Sequence, residues 1–141
     1  MSTTLEENKA VVRRFFEVLD SQNLSKADTV LTQNAVNHAA GIGEVRGLEG
    51  WKAVAKGFFT AFPDLHTTVE LLVAEDDLVG AYYYFEGTHQ GDLMGIPPTG
   101  KKIRVTGAAL YRIEDGKIAE EWHEQDNLGM MQQVAPAPAA S

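Results

Sequence analysis

The spacing of the apolar residues changes once along the chain, near Leu65, and this change most constrains the fold. Before Leu65 the apolar residues recur at helical spacing, and after it they alternate with the period of two that is typical of strands. Helices followed by strands indicate an α+β domain with the helices on one face of a mostly antiparallel sheet. We predict a strongly bent sheet that wraps over three N-terminal helices as a cone and encloses an apolar pocket.

The predicted helices are bounded by capping residues and by proline. Thr3 or Thr4 with Glu6 or Glu7 forms a capping box for a first helix over about residues 4–21. A shorter helix follows Ser25, and a third begins after Gly47 and ends at Pro63.

The predicted strands lie at about 65–73, 78–89, 101–113 and 117–126, and a tight turn at residues 114–116 joins the last two. A three-residue loop here would pair Ile113 with Lys117. Ala109 and Tyr111 would then share a face with Glu121 and His123. A two-residue loop would instead place Ala109 beside Trp122.

The last strand carries the row of polar residues that most suggests chemistry. Alternation sends Glu121, His123 and Gln125 to one face and Trp122 to the other. A polar row is costly to bury, so this face lines either solvent, as an exposed edge strand, or a solvated pocket. A histidine among acids in a pocket is a natural proton-transfer group, because its ordinary pKa lies near neutrality.

Composition narrows the class of protein. The 141 residues include twelve basic and twenty acidic side chains, a net charge of −8, which disfavours nucleic acid and anionic membranes as partners. There is no cysteine, the histidines lack metal-site spacing, and neither a signal-peptide pattern nor a membrane-length apolar run occurs. We therefore expect a cytoplasmic protein without a metal site, built as one domain over 1–134 with a disordered tail, 135–141.

Several motifs in order resemble one family along nearly the whole chain. They are ENKAVVRRFF at 7–16, VNH at 36–38, GLEG at 47–50, FPDL at 62–65, GTHQG at 87–91, GIPPTGK at 95–101 and YRIEDGKIAEEW at 111–122. The chain resembles the SnoaL-like polyketide cyclase family of the nuclear-transport-factor-2-like superfamily. The resemblance implies a cofactor-independent acid–base enzyme that closes a ring by intramolecular aldol condensation of a substrate held in an aromatic-lined cavity.

The resemblance also implies where catalytic residues belong. The family's general acid/base is an aspartate just after the strand tryptophan, and this position is His123 here. An assisting histidine on the preceding strand falls near Ala109. The chain departs from the family at both positions, but His123 can itself abstract a proton, with Glu121 orienting it and raising its pKa. Asp126 is a third catalytic candidate, which a bulge in the strand would bring to the same face.

Substrate-binding candidates come from the same reasoning. The third helix carries an aromatic stripe that serves either as core packing or as the wall of a ligand pocket, and small strand residues leave room for a ligand. Asn37 and His38 are rivals for a polar place at the pocket mouth. The set is Asn37, His38, Trp51, Phe59, Tyr83, Ala109 and Tyr111.

Three functions remain open from the sequence. The first is an acid–base cyclase or isomerase acting on an apolar carbonyl compound, and the second is a ligand-binding or dimerisation module without chemistry. The third is an epoxide hydrolase-like enzyme, which needs Glu121 and a second carboxylate around one water. Separately, Ile118 and Trp122 would form an apolar patch opposite His123, and this patch predicts a two-fold homodimer.

Overall fold

A computed structural model describes residues 4–39 and 41–135, so residues 136–141 of the predicted tail lie outside the described part of the chain. Three α-helices, one 3₁₀ helix and six strands are assigned within it. Their bounds are α1 Leu5–Ser21, the 3₁₀ helix Leu24–Thr29, β1 Leu31–Ala39, β2 Gly43–Arg46, α2 Gly47–Ala61, β3 His66–Glu75, β4 Leu78–Thr88, β5 Lys102–Glu114, β6 Lys117–Gln125 and α3 Asn127–Val134.

The six strands form one sheet in the order β2-β1-β6-β5-β4-β3. Neighbouring strands are antiparallel except β1 and β6, which run parallel. Helix α1 contacts mainly β3, at one edge of this order, and helix α2 contacts β1 and the opposite edge strand β2. The curled sheet over N-terminal helices is the α+β cone predicted from the sequence.

Helix α1 begins where the capping box predicted it. The Thr4 hydroxyl accepts from the Glu7 backbone N–H, and the Glu7 side chain accepts from the Thr4 N–H, so two amides at the helix start are satisfied. The buried stripe that follows includes Val12, Phe15 and Phe16. This stripe holds α1 against the concave side of the sheet and supplies one wall of the interior.

The region between α1 and α2 differs from the prediction of helices alone. The middle helix is a single 3₁₀ segment, and residues 31–39 and 43–46 are strands. Residues 31–39 lack clean alternation, and the pairing of β1 with β6 shifts register between Leu31 and Val36. Helix α3, which also was not predicted, packs against β5.

The hairpin between β5 and β6 corrects the predicted loop but preserves the predicted face. Glu114 pairs with Lys117, so the loop is the two residues Asp115 and Gly116, both with positive φ. The register then shifts: Ile113 pairs with Ile118, but Arg112 pairs with Glu120. This bulge adds one residue to β6 and returns the strand to the phase that the longer loop would have given.

Two consequences of the bulge concern the faces of β6. Ala109 lies opposite His123, and Tyr111 lies opposite Glu121, so the four residues share a face as predicted. Ile118 does not lie on the exposed outer face. It precedes the bulge, is fully buried and belongs to the core. The prediction that Ile118 joins an exposed patch was wrong, whereas Trp122 does lie exposed on the outer face.

None of the helices in the described part of the chain has the length and apolar character needed to cross a lipid bilayer.

Candidate active site

The concave side of the sheet and helices α1 and α2 enclose a cavity of about 100 Å³. Most of its wall is apolar, and its aromatic members are Phe15, Phe16, Trp51, Phe58, Phe59, Tyr83, Phe85 and Tyr111. The polar lining residues are fewer, namely Asn37, Thr67, Glu121, His123 and Gln125. An apolar cavity with a few converging polar groups is the usual form of a small-molecule site.

The central polar contact joins β4 to β6 across the strand between them. The Tyr83 hydroxyl and Nε2 of His123 are within hydrogen-bond contact. The two side chains meet because β5 carries Gly107 opposite Tyr83 and Ala109 opposite His123. A Cβ at Gly107 would lie 2.6 Å from the Tyr83 hydroxyl oxygen, so only glycine leaves this space.

Burial fixes the charge state of His123. Removal from water lowers the pKa of His123 to about 4, since the cationic form is disfavoured there. The imidazole is therefore neutral at pH 7. We assign the ring proton to Nδ1, which lies near Glu121, and with this tautomer Nε2 accepts from the Tyr83 hydroxyl.

Glu121 lies on the other side of the imidazole. One carboxyl oxygen, Oε1, is 3.8 Å from Nδ1 of His123, and the other, Oε2, is buried without a hydrogen-bond partner among the described residues. Burial raises the pKa of Glu121 to about 8, so the carboxyl is mostly neutral at pH 7. The expectation that Glu121 raises the pKa of His123 is corrected, because a neutral carboxyl exerts no such pull.

Two tyrosines supply neutral hydroxyl groups. Burial, followed by the nearby Glu121 carboxyl, raises the pKa of Tyr83 and of Tyr111 above the ordinary value. Both are phenols rather than phenolates at any pH the fold would meet. They are therefore hydrogen-bond donors suited to an oxygen that gains negative charge.

Asn37 lies beside Glu121 at the inner end of the cavity. The two residues are paired across the parallel β1–β6 ladder. Asn37 is buried, and its Oδ1 has no hydrogen-bond partner in the described part of the chain. Buried acceptors without a partner are rare in folded proteins, and here they face a cavity.

The structure brings together five of the seven predicted substrate-binding residues. Asn37, Trp51, Phe59, Tyr83 and Tyr111 line the cavity. Ala109 shares their face but does not line the cavity, because the Tyr83–His123 contact fills the space above it.

His38 is a correction to the predicted site. Its ring stacks on Trp122 at 5.5 Å between centroids, and Nε2 lies 2.7 Å from a Glu120 carboxyl oxygen. These contacts are on the outer face of the sheet, because adjacent residues of a strand point to opposite sides and Asn37 points inward. Of the two rivals, Asn37 is therefore the one that faces the cavity.

Asp126 is also a correction. Its Oδ1 accepts the backbone N–H of Gly129 at 2.8 Å, so Asp126 is the N-cap of α3 rather than a second carboxylate in the cavity. The bulge that β6 does contain lies near Ala119, before His123. It therefore does not change the alternation between His123 and Asp126, and Asp126 is not turned inward.

Sequence reasoning did not name Phe15, Phe16 and Gln125 among the site residues, although all three line the cavity. The signals were present: the phenylalanines belong to the α1 stripe, and Gln125 follows His123 by two residues on the same strand. No group of three or more His, Cys, Asp or Glu side chains that could hold a metal occurs within residues 4–39 and 41–135.

The cone fold and its aromatic-lined cavity, with polar groups on its wall, define a class of proteins that hold a small molecule inside the cone. Comparison with known proteins places the chain in this class. The chain belongs to the SnoaL-like polyketide cyclase family, whose sequence profile matches residues 9–134. It is 31% identical to aklanonic acid methyl ester cyclase DnrD of Streptomyces peucetius, over 95% of this chain and 92% of that one.

Solved structures agree with this membership. IdmH of Streptomyces antibioticus is 30% identical, with a TM-score of 0.81 over 90% of this chain and 97% of that one. A SnoaL-like protein from Jannaschia sp. CCS1 is 24% identical, with a TM-score of 0.88 over 98% of each chain, and shows the shared fold.

Proposed function

We propose that this protein is a cofactor-independent cyclase that closes a ring by intramolecular aldol reaction. The observation that carries the proposal is the contact between the Tyr83 hydroxyl and His123 Nε2 inside an apolar cavity, with Glu121 on the other side of the ring. This arrangement supplies a neutral base, a neutral hydrogen-bond donor and a third titratable group within reach of one substrate.

The proposed first step is removal of a proton from a carbon next to a substrate carbonyl. The substrate inserts between Tyr83 and His123, so that Nε2 is free to take the proton. The released Tyr83 hydroxyl donates to the carbonyl oxygen as it becomes an enolate oxygen. His123 is then an imidazolium cation, with Glu121 next to its Nδ1–H.

The second step forms the ring. The enolate carbon attacks a second carbonyl of the same molecule, a carbon–carbon bond forms, and the attacked oxygen becomes an alkoxide. The imidazolium returns its proton to that alkoxide, which leaves His123 neutral for the next turnover. No atom is gained or lost, so the reaction needs no cofactor.

The cavity wall supports the proposed substrate class. Apolar side chains, many of them aromatic, cover most of the lining, which suits a flat apolar molecule, and the polar side chains are few. A relative at 31% identity is named as an aklanonic acid methyl ester cyclase. We propose a polyketide ester or ketone of this kind as the substrate.

Hydrogen–deuterium exchange into 1-tetralone, a ketone that cannot cyclise, tests the base without requiring the true substrate. In D₂O buffer the protein should accelerate exchange at the carbon next to the carbonyl, and His123→Ala should remove the acceleration. Conversion of aklanonic acid methyl ester to a cyclised isomer of equal mass would extend the result to the whole reaction. Exchange at the buffer rate would favour a binding module instead.

The other functions are less well supported. An epoxide hydrolase-like reaction needs two carboxyl groups around a water, but Glu121 is the single carboxyl group among the described residues that line the cavity. A pure binding module would not need a histidine on the cavity wall, and the side chain of His123 is 22% exposed there.

We also propose a homodimer that associates through the outer face of the sheet. Val73, Gly80, Leu110 and Trp122 follow one another across β3, β4, β5 and β6. The three large side chains of this row are exposed, and Tyr82 and Leu71 form a parallel exposed pair beside it. A charge of −8 per chain opposes association, so an apolar centre is the surface that a second copy would need.

The setting that we propose follows from sequence features. The family match over residues 9–134 supports one domain over 1–134. The absence of cysteine from the sequence supports action in the reducing cytoplasm, where disulfides are not used.

A further inference from the structure

A second cavity of about 370 Å³, open to solvent on one side, adjoins the first beside α2. Its walls come from α2, from the turn after β1 and from the loop between β4 and β5. Most of the side chains are apolar, including Ile42, Val54, Phe58, Leu93 and Met94. The polar groups of the catalytic cavity do not reach it.

Three side chains line both cavities. Ile42, Val54 and Phe58 each face the catalytic cavity on one side and the second cavity on the other. Val54 and Phe58 are one helical turn apart on α2, so they stand next to each other. The boundary between the two spaces therefore includes side chains, and side-chain rotation can open it without moving the sheet.

The loop that forms the far wall is fixed to the end of α2. The backbone N–H groups of Gln90 and Gly91 both donate to the Ala61 carbonyl, at 3.0 and 3.2 Å. A Cβ at Gly91 would lie 1.9 Å from the Thr60 carbonyl oxygen, so the loop approaches as closely as glycine allows. Leu93 is buried beneath the loop, while Met94 is 61% exposed at its rim. These contacts hold the loop in place as a wall of the second cavity.

The volumes of the two cavities indicate that both are needed to hold one ligand. Pockets for small molecules commonly hold roughly 300–1,000 Å³. The catalytic cavity alone, at about 100 Å³, falls below this range, and the second cavity brings the pair into it. We propose that the second cavity is a subsite for the non-reacting, apolar portion of the substrate, while the carbonyl end lies at His123. This inference rests on the proposed function.

Gly57 offers a way to fill the second cavity alone. It lies inside α2 and lines the second cavity but not the first. A Cβ placed on it would meet no atom within 4 Å. Glycine inside a helix is less favourable than alanine, so a larger residue here should not weaken the helix. Gly57→Leu should occupy the subsite, and Gly57→Ala is the matched control that adds one methyl group.

The test is the affinity for two aryl ketones, acetophenone and hexanophenone, measured by calorimetric titration. Both carry the same carbonyl head, and hexanophenone adds four methylene groups that the subsite would bury. The wild-type protein should bind hexanophenone at least about tenfold more tightly than acetophenone. Gly57→Leu should reduce this ratio to within about twofold while leaving acetophenone affinity unchanged, and Gly57→Ala should keep the ratio.

A second measurement locates the chain of the ligand. With ¹³C-methyl methionine, the Met94 methyl resonance should shift with hexanophenone and not with acetophenone, whereas the fully buried Met130 methyl should move with neither. A tenfold ratio that persists in Gly57→Leu, or a parallel loss of acetophenone binding, would overturn the subsite.

The two proposals can fail separately. These ketones report binding and require no turnover. Loss of deuterium exchange with the affinity ratio intact would reject the cyclase and keep the subsite, and the opposite result would reject the subsite alone.

Discussion

Tyr83 and His123 touch although a whole strand separates them. Their contact spans β5 because that strand presents Gly107 and Ala109, two small residues, at the point of crossing. The small residues were expected to leave room for a ligand, and instead they leave room for two protein side chains to meet. The reactive pair is thus held by three neighbouring strands rather than by a loop, which favours a fixed geometry.

The first prediction concerns the base. His123→Ala should lower turnover by about 10²–10⁴-fold, the usual contribution of a general base, with little change in the fold. His38→Ala is the matched control, since that histidine lies on the outer face and should leave turnover unchanged. Steady-state rates for the two variants decide the matter, and equal rates would move the catalytic role away from His123.

The second prediction concerns the pH dependence of the rate. Ionisation of Glu121, with its pKa near 8, places a carboxylate 3.8 Å from the imidazolium that forms during proton abstraction. Opposite charges at this distance attract, so kcat/KM should rise by at least about tenfold as pH increases through 8. Glu121→Gln should abolish this rise and Glu124→Gln, on the exposed outer face, should retain it. A rise that survives in Glu121→Gln would come from the substrate instead.

The third prediction concerns stability and pH. Glu121 has a raised pKa, about 8, so its neutral form stabilises the fold at low pH and that contribution is lost as pH rises toward 8. His123 has a lowered pKa, about 4, so its contribution grows as pH rises from about 4 to 6.5. The two slopes offset each other between about 4.5 and 6.5, and above that range Glu121 acts alone. The free energy of unfolding should therefore fall by about 1–2 kcal/mol from pH 6.5 to 8.

Urea titrations at several pH values test this slope. Glu121→Gln should flatten it, because glutamine does not ionise, and Glu124→Gln should leave it in place. A wild-type protein whose stability rises over pH 6.5–8 would contradict the assignment of Glu121 as a neutral buried acid.

The fourth prediction concerns the space at Gly107. In Gly107→Ala the new methyl would lie 2.6 Å from the Tyr83 hydroxyl oxygen, so the tyrosine must leave its present position beside His123. Displacement of about 1 Å can cost on the order of 10²-fold in rate, and we expect a loss of that size. Ala108→Ser, on the exposed side of the same strand, is the control. In a Tyr83→Phe background Gly107→Ala should lose little more; a full further loss would mean that its effect does not act through Tyr83.

The fifth prediction concerns association. Trp122→Glu should convert a dimer of about 31 kDa, twice the 15.4 kDa chain, into a folded monomer, because it replaces the largest apolar side chain of the row by a charge. Leu128→Glu is the control: Leu128 is 70% exposed but lies on α3, away from the row. Light scattering at micromolar concentration gives the mass, and a wild-type monomer would refute the dimer.

The sequence predicted those parts of the fold whose signals are local. The capping box placed α1, Pro63 placed the end of α2, and alternation placed β3 to β6. The strand over residues 31–39 could not be read in this way, because its pairing with β6 joins residues more than 80 positions apart. Helix α3 is short, and its clearest local signal, Asp126, was assigned to chemistry instead of capping.

In the candidate site, too, local patterns predicted some properties and not others. Alternation was enough to put Glu121 and His123 on one face, because that property belongs to a single strand. The contact between Tyr83 and His123 depends on the registers of β4, β5 and β6 together, and their charge states depend on burial. A local sequence pattern determines neither the register of the strands nor the burial of the side chains. The roles of these residues could therefore be inferred only from the structure.

The bulge near Ala119 is a single extra residue, and it determines which later side chains of β6 point into the cavity and which point outward. If the bulge were straightened while the two-residue turn was kept, Ala119 would pair with Arg112, and inside would be exchanged for outside at every later position of the strand. Trp122 would then be driven into the aromatic cavity, and Glu121 and His123 would be turned out to the exterior. The presence of one bulged residue thus decides whether this strand presents polar or apolar side chains to the cavity, while the six-stranded frame stays the same.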